Sequence, residues 1–124
     1  MVKPLINFIM IRTSRLIDIR DFYEGLGLEL IEERHGNGPI HYSYEQDRLV
    51  VEIYPGAEGN LPGWKDAGSV MLGFYVEGIN GLIEKLIQLK GKLISKPSET
   101  ERGVRAVLED PDGRRIELIE RRIT

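Results

Sequence analysis

Two stretches of this chain run through the same order of elements at a nearly constant offset. Phe8 and Met71 take equivalent places near the start of each stretch, 63 residues apart. Val51-Glu52-Ile53 and Ile116-Glu117-Leu118 take equivalent places near the end of each, 65 residues apart. A constant offset is what a duplicated supersecondary unit leaves in a sequence. In a chain of 124 residues, neither copy alone is long enough to bury a sufficient core. The free face of each small sheet must therefore curl against the other copy or meet a second chain.

The local pattern supports the repeat. Leu5 to Ile11 is a short apolar run rich in β-branched residues, which predicts a strand. Ser14 is expected as the N-cap of a helix whose apolar stripe is Leu16, Ile19, Tyr23 and Leu26, with Gly25 and Gly27 as its stop. Three strands follow: Leu28 to Arg34, Ile40 to Tyr44 and Leu49 to Tyr54, with turns at His35 to Gly38 and at Glu45 to Arg48. The glycine- and proline-rich stretch from Pro55 to Gly68 reads as a linker. The order then restarts with a strand over Ser69 to Val76 and a helix carrying Ile79, Leu82, Ile83, Leu86 and Leu89, ended by Gly91. A short strand over Lys92 to Ser95 and a polar loop from Pro97 to Gly103 come next. Two strands, Val104 to Glu109 and Arg114 to Glu120, are joined by Asp110-Pro111-Asp112-Gly113, whose residue types favour a tight turn. The expected fold is α+β: two βαβββ modules, 4–54 and 69–121 around a linker at 55–68, forming curled mixed sheets around a cleft with helices on the outer face.

Composition narrows the partners. The formal net charge is -3 with acids and bases interspersed, whereas phosphate binding needs a concentrated basic face, so no nucleic acid partner is expected. Arg114-Arg115 and Arg121-Arg122 are interrupted by Glu117 and Glu120. The absence of cysteine removes disulfides, zinc–thiolate sites and thiol nucleophiles. Met1 to Met10 lacks a basic, apolar and small-residue order, and no apolar run is long enough for a bilayer, so no membrane partner and a cytoplasmic location are expected.

Ile11-Arg12-Thr13-Ser14, with Asp21-Phe22-Tyr23-Glu24-Gly25-Leu26-Gly27, resembles the opening module of the vicinal oxygen chelate superfamily. That superfamily includes glyoxalase I, bleomycin-resistance proteins, fosfomycin-resistance enzymes and extradiol dioxygenases. Gly103-Val104-Arg105, through Asp110-Pro111-Asp112-Gly113, to Ile116-Glu117-Leu118 resembles its second module. Metal-dependent members hold one divalent ion with histidine or glutamate from the first and last strands of each module. By that resemblance the four places here are Phe8, Glu52, Met71 and Glu117. A phenyl ring donates no lone pair and a thioether is a poor ligand for hard or borderline cations. No metal and no cofactor are therefore expected, and a homodimer is the assembly that the resemblance implies.

Glu52 lies in an otherwise apolar strand, on the face away from the helix by alternation. It reads as a general base or an anchor for a polar ligand group, or equally as a solvated glutamate at the mouth of the cleft. Glu117 carries the same argument, with Arg115 and Arg105 as partners in a structural ion pair. Arg105 fits a bidentate contact to an anionic ligand group, or an exposed pairing with Glu109 or Glu101. Arg12 shares the strand face of Phe8 and Met10. His41 reads as a relocated ligand or proton shuttle, or as a half-exposed strand residue, and His35, in a turn, is expected to do nothing chemical. Tyr42, Tyr44, Tyr54, Tyr75 and Trp64 are expected to border a cavity.

Three functions remain compatible with these residues. The expectation carried forward is a metal-free protein that binds a small-molecule ligand, amphipathic or aromatic, in the strand-lined cleft, with Phe8, Met10, Arg12, His41, Tyr54, Met71, Tyr75 and Arg105 around it. The alternatives are a divalent-metal lyase or dioxygenase using Glu52 and Glu117, and a metal-free isomerase or lyase in which Glu52 abstracts a proton.

Overall fold

The computed structural model describes residues 3–57, 59 and 70–121; Trp64 and most of the expected linker lie outside them. The chain forms two units, Met1–Glu58 and Gly59–Thr124. Among the described residues each holds a four-stranded mixed sheet and one helix, and the two sheets repeat the same strand order.

In the first unit β1 (Phe8–Thr13) leads into α1 (Leu16–Leu26), followed by β2 (Ile31–Glu33), β3 (His41–Gln46) and β4 (Leu49–Pro55). The sheet order is β1-β4-β3-β2, with β1 parallel to β4 and the other pairs antiparallel. Helix α1 packs on β4, and Ile19, Phe22, Tyr23 and Leu26 meet the buried Ile11, Val51 and Ile53 side of the sheet. Each fully buried aliphatic or aromatic side chain contributes about 1.5–3 kcal/mol.

The first strand begins later than its apolarity predicts. Pairing with β4 starts at Phe8↔Val50, and Leu5 and Ile6, which precede it, stay largely exposed. The expected strand over Leu28 to Arg34 shrinks to Ile31–Glu33, because only these residues pair with β3. The helix cap also moves. Arg15 is the N-cap, no side chain caps the helix, and Thr13 Oγ1, not Ser14, accepts from the Arg15 N–H at 2.9 Å. At the other end Gly27, with φ of 126°, closes the helix as expected.

In the second unit β5 (Leu72–Val76), α2 (Ile79–Gln88), β6 (Lys92–Thr100), β7 (Gly103–Glu109) and β8 (Arg115–Glu120) give the order β5-β8-β7-β6. Helix α2 packs on β6 and β8 through Ile79, Ile83 and Leu86. The strand expected from Ser69 starts at Leu72, where its pairing with β8 begins. Gly91 is not the left-handed residue after α2; Lys90 is, with φ of 72°.

The polar loop expected from Pro97 to Gly103 is instead the second half of β6, reduced to a tight turn at Glu101-Arg102. Proline is tolerated there because β6 is an edge strand and its register with β7 shifts between Ser95 and Ser98. The Asp110 to Gly113 turn forms as its residues predict. Asp110 Oδ1 accepts from the N–H groups of Asp112 and Arg114, and Gly113 takes φ of 96°.

Register confirms the duplication. Met10 pairs with Glu52 and Gly73 with Glu117, so Phe8 and Met71 each lie two residues before the partner of a glutamate. No helix among the described residues is long and apolar enough to cross a membrane.

Candidate functional site

Strand alternation places Phe8, Met10 and Arg12 of β1 on the sheet face opposite α1, with Glu52 and Tyr54 of β4 and His41 and Ser43 of β3. Phe8 and Met10 are 45% and 40% exposed there, beside a closely connected polar group. The rings of His41 and Tyr54 stack at 4.1 Å. His41 Nε2 lies 3.3 Å from Glu52 Oε2, 3.3 Å from the Tyr54 hydroxyl and 3.7 Å from Glu33 Oε1.

The other ring nitrogen, Nδ1, lies 3.2 Å from the Pro39 carbonyl oxygen. A carbonyl can only accept, so Nδ1 is the donor in this contact, and Nε2 is the nitrogen that faces the carboxylates. Tyr54 Oη has one proton to give. Partial burial, and then the charge of Glu52 and its hydrogen bond, push the phenol above the ordinary tyrosine range, while Arg12 opposes the shift.

His41 is therefore not the half-exposed strand residue that its neighbours in sequence allow: it is 1% exposed. Nor is His35 chemically remote. Its ring centroid is 5.1 Å from that of His41, and Glu33, His35 and His41 bring one ligand atom each within 4.8 Å of one another. Sequence reasoning missed Glu33 because its place depends on hairpin register. The pairing Glu33↔His41 sets it directly across from the histidine.

In the second unit Gly73 and Tyr75 of β5, Glu117 of β8, and Arg105 and Val107 of β7 share one sheet face. Arg105 Nε donates to Glu117 Oε2 at 2.6 Å, and Arg102 lies 3.6 Å from Oε1. The exposed pairing of Arg105 with Glu109 or Glu101 is thus replaced by a contact with Glu117, its diagonal neighbour across β7 and β8. Of the two expected arginines, Arg105 pairs with Glu117, and Arg102 joins it. Arg102 also bonds Tyr75, which raises the guanidinium pKa, and Arg121 lies over the Tyr75 ring at 4.5 Å. Met71 is half-buried just before β5.

Two of the expected cavity aromatics point elsewhere. Tyr42 is 5% exposed on the α1 side, where its hydroxyl accepts from Arg20 and donates to Glu32. Tyr44 shares that side by alternation and donates to Gln46.

The four places assigned to a divalent ion by resemblance do not fit one. Phe8 and Met71 supply no ligand suited to such an ion, and Glu117 is already neutralised by Arg105 and Arg102.

Comparison with known proteins agrees with this architecture. The solved structure of a hypothetical protein from S. aureus, SA1046, superposes with a TM-score of 0.71 at 18% identity, covering 97% of this chain and 98% of that one. A glyoxalase family protein from Enterococcus faecalis gives 0.69 at 24% identity, over 94% and 97%. TnmS3, an antibiotic binding protein from Streptomyces sp. CB03234, gives 0.67 at 16% identity, over 98% and 99%. At these identities the likeness is one of fold. No curated protein matches the chain. The sequence itself matches the Glyoxalase/Bleomycin resistance protein/Dioxygenase superfamily over residues 5–118, and with the duplicated sheets this chain belongs to that superfamily.

Proposed function

We propose that this chain is a small-molecule-binding protein of the glyoxalase/bleomycin-resistance type. It takes an amphipathic or aromatic ligand on the face of the first sheet opposite α1, with no divalent ion at the family's usual places. One observation carries this reading: exposed Phe8 and Met10 stand on the strand next to Glu52, whose neighbours are His41 and Tyr54. An apolar ligand body covering Phe8 and Met10 gains about 25 cal/mol per Å² of surface removed from water. A cationic or hydrogen-donating group would meet Glu52, whose side chain is 18% exposed. The antibiotic binding by TnmS3 supports the reading only as an analogy of fold. Homodimeric assembly belongs to the same proposal and is read by light scattering.

The test is a thermal-shift screen of aromatic and cationic compounds, followed by calorimetric titration of those that act. A ligand at a hundred times its Kd stabilises the fold by about 2.7 kcal/mol. The expected result is a saturable shift that Glu52→Gln abolishes and Phe8→Ala weakens. Ligands whose shifts ignore both substitutions, or a panel with no shift at all, would sink the proposal.

The contact of Glu52 with His41 favours a second reading, in which Glu52 abstracts a proton and His41 and Tyr54 hold it in place. Substrate turnover that falls in Glu52→Gln while binding persists would select it.

A further inference from the structure

We infer that Glu33, His35 and His41 form a binding site for a borderline divalent cation of the zinc or cobalt type, displaced from the places the family uses. Antiparallel pairing sets His41 opposite Glu33, and the His35 ring lies 5.1 Å from that of His41, so one ligand atom from each of the three falls within 4.8 Å of the others. One carboxylate and two imidazoles suit such an ion and leave one position open.

The preparation of His41 is the second line of support. The Pro39 carbonyl occupies Nδ1, in the way a metal-ligating histidine is commonly held by its other nitrogen. Nε2 is buried, 3.7 Å from Glu33 Oε1 and 3.3 Å from Glu52 Oε2, and offers its lone pair to a cation once it carries no proton. Glu52 lies beside the site, 3.3 Å from Nε2. Two carboxylates, Glu33 and Glu52, lie within 4 Å of Nε2, which also favours a cation there.

Ligand atoms around a tetrahedral ion with bonds of about 2.0–2.1 Å lie closer together than 4.8 Å, so binding must draw the site inward. The inward shift falls to the side chain of His35, which is exposed in the turn closed by the bond from the Gly38 N–H to the His35 carbonyl.

This inference does not rest on the small-molecule reading, because the test uses the metal alone. Untagged protein is incubated with zinc or cobalt(II), desalted, and its metal content measured, with cobalt absorption reporting nitrogen ligation. One equivalent per chain is expected. His35→Ala and Glu33→Gln should each weaken retention at least about tenfold. His35 is exposed, so its variant tests the site without disturbing the core, whereas His41→Gln is informative only if its circular dichroism is unchanged. No retained metal, or retention that His35→Ala and Glu33→Gln leave untouched, overturns the proposal.

Discussion

The rings of His41 and Tyr54 lie nearly parallel, 10° apart at 4.1 Å, one step beyond the last paired residues of β3 and β4. This stack holds the Tyr54 hydroxyl 3.3 Å from Nε2 and beside Glu52, in surroundings that disfavour the phenolate.

Tyr54 should consequently ionise above the ordinary tyrosine value of about 10. Burial is the larger cause and the Glu52 charge the next. The pKa is raised in the folded state, so the associated stability is fully present below about pH 10 and is lost as pH rises through the folded value. The alkaline ultraviolet titration of chelator-treated protein, minus that of Tyr54→Phe, isolates this group. A difference midpoint at or below about 10 would contradict the assignment.

Glu120, the last residue of β8, caps α2 from another element. Its Oε1 accepts from the Gly78 N–H at 2.6 Å and from the Ile79 N–H at 3.3 Å. Helix α2 has no cap from its own N-cap residue, Gly78. Glu120→Ala should therefore destabilise the protein by about 1 kcal/mol, and Glu120→Gln, which keeps one acceptor oxygen, by less. Urea unfolding checks the order; equal losses in the two variants would show that the carboxylate does not cap.

These contacts show where sequence reasoning succeeds and where it stops. The turn at Asp110 to Gly113 and the helix stop at Gly27 are legible because each residue type answers a local demand of φ or of a hydrogen bond. The face carrying Glu52 is legible because alternation is local as well. Glu120 as a cap and Glu33 beside His41 are not legible, because both depend on which strand pairs with which and in what register. The late start of β1 has the same origin: Leu5 and Ile6 are apolar enough for a strand, yet β4 begins pairing only at Val50. Pro97 misled for a different reason. Proline argues against a strand only where its neighbours require the missing N–H, and an edge position does not.

Gly103 opens β7 at φ of 129°, a conformation that side chains avoid. A Cβ at this residue would also collide with the backbone carbonyl of Glu120, to which rotamer changes offer no relief. Gly103→Ala should lower stability by about 2–4 kcal/mol, combining backbone strain with overpacking. Differential scanning calorimetry measures the loss. A change within about 0.5 kcal/mol, typical of an inert surface substitution, would mean that the strand end relaxes freely.

The last prediction concerns Arg105 and Glu117, which decide whether the second unit's carboxylate is free for chemistry. Their 2.6 Å contact joins a side chain 38% exposed to one 19% exposed. Solvent screens such a pair, so its coupling should be about 1 kcal/mol rather than the several kcal/mol of a buried ion pair. A double-mutant cycle over Arg105→Ala and Glu117→Gln measures that coupling directly. Raising the salt concentration should reduce it further, since the guanidinium is open to solvent. Arg102, 3.6 Å from the other carboxylate oxygen, softens the loss in Arg105→Ala by remaining as a second partner. A coupling near zero would mean that Glu117 does not depend on Arg105. The carboxylate would then be available to a ligand, and the reasoning that excludes it from a cation site would lose its electrostatic half.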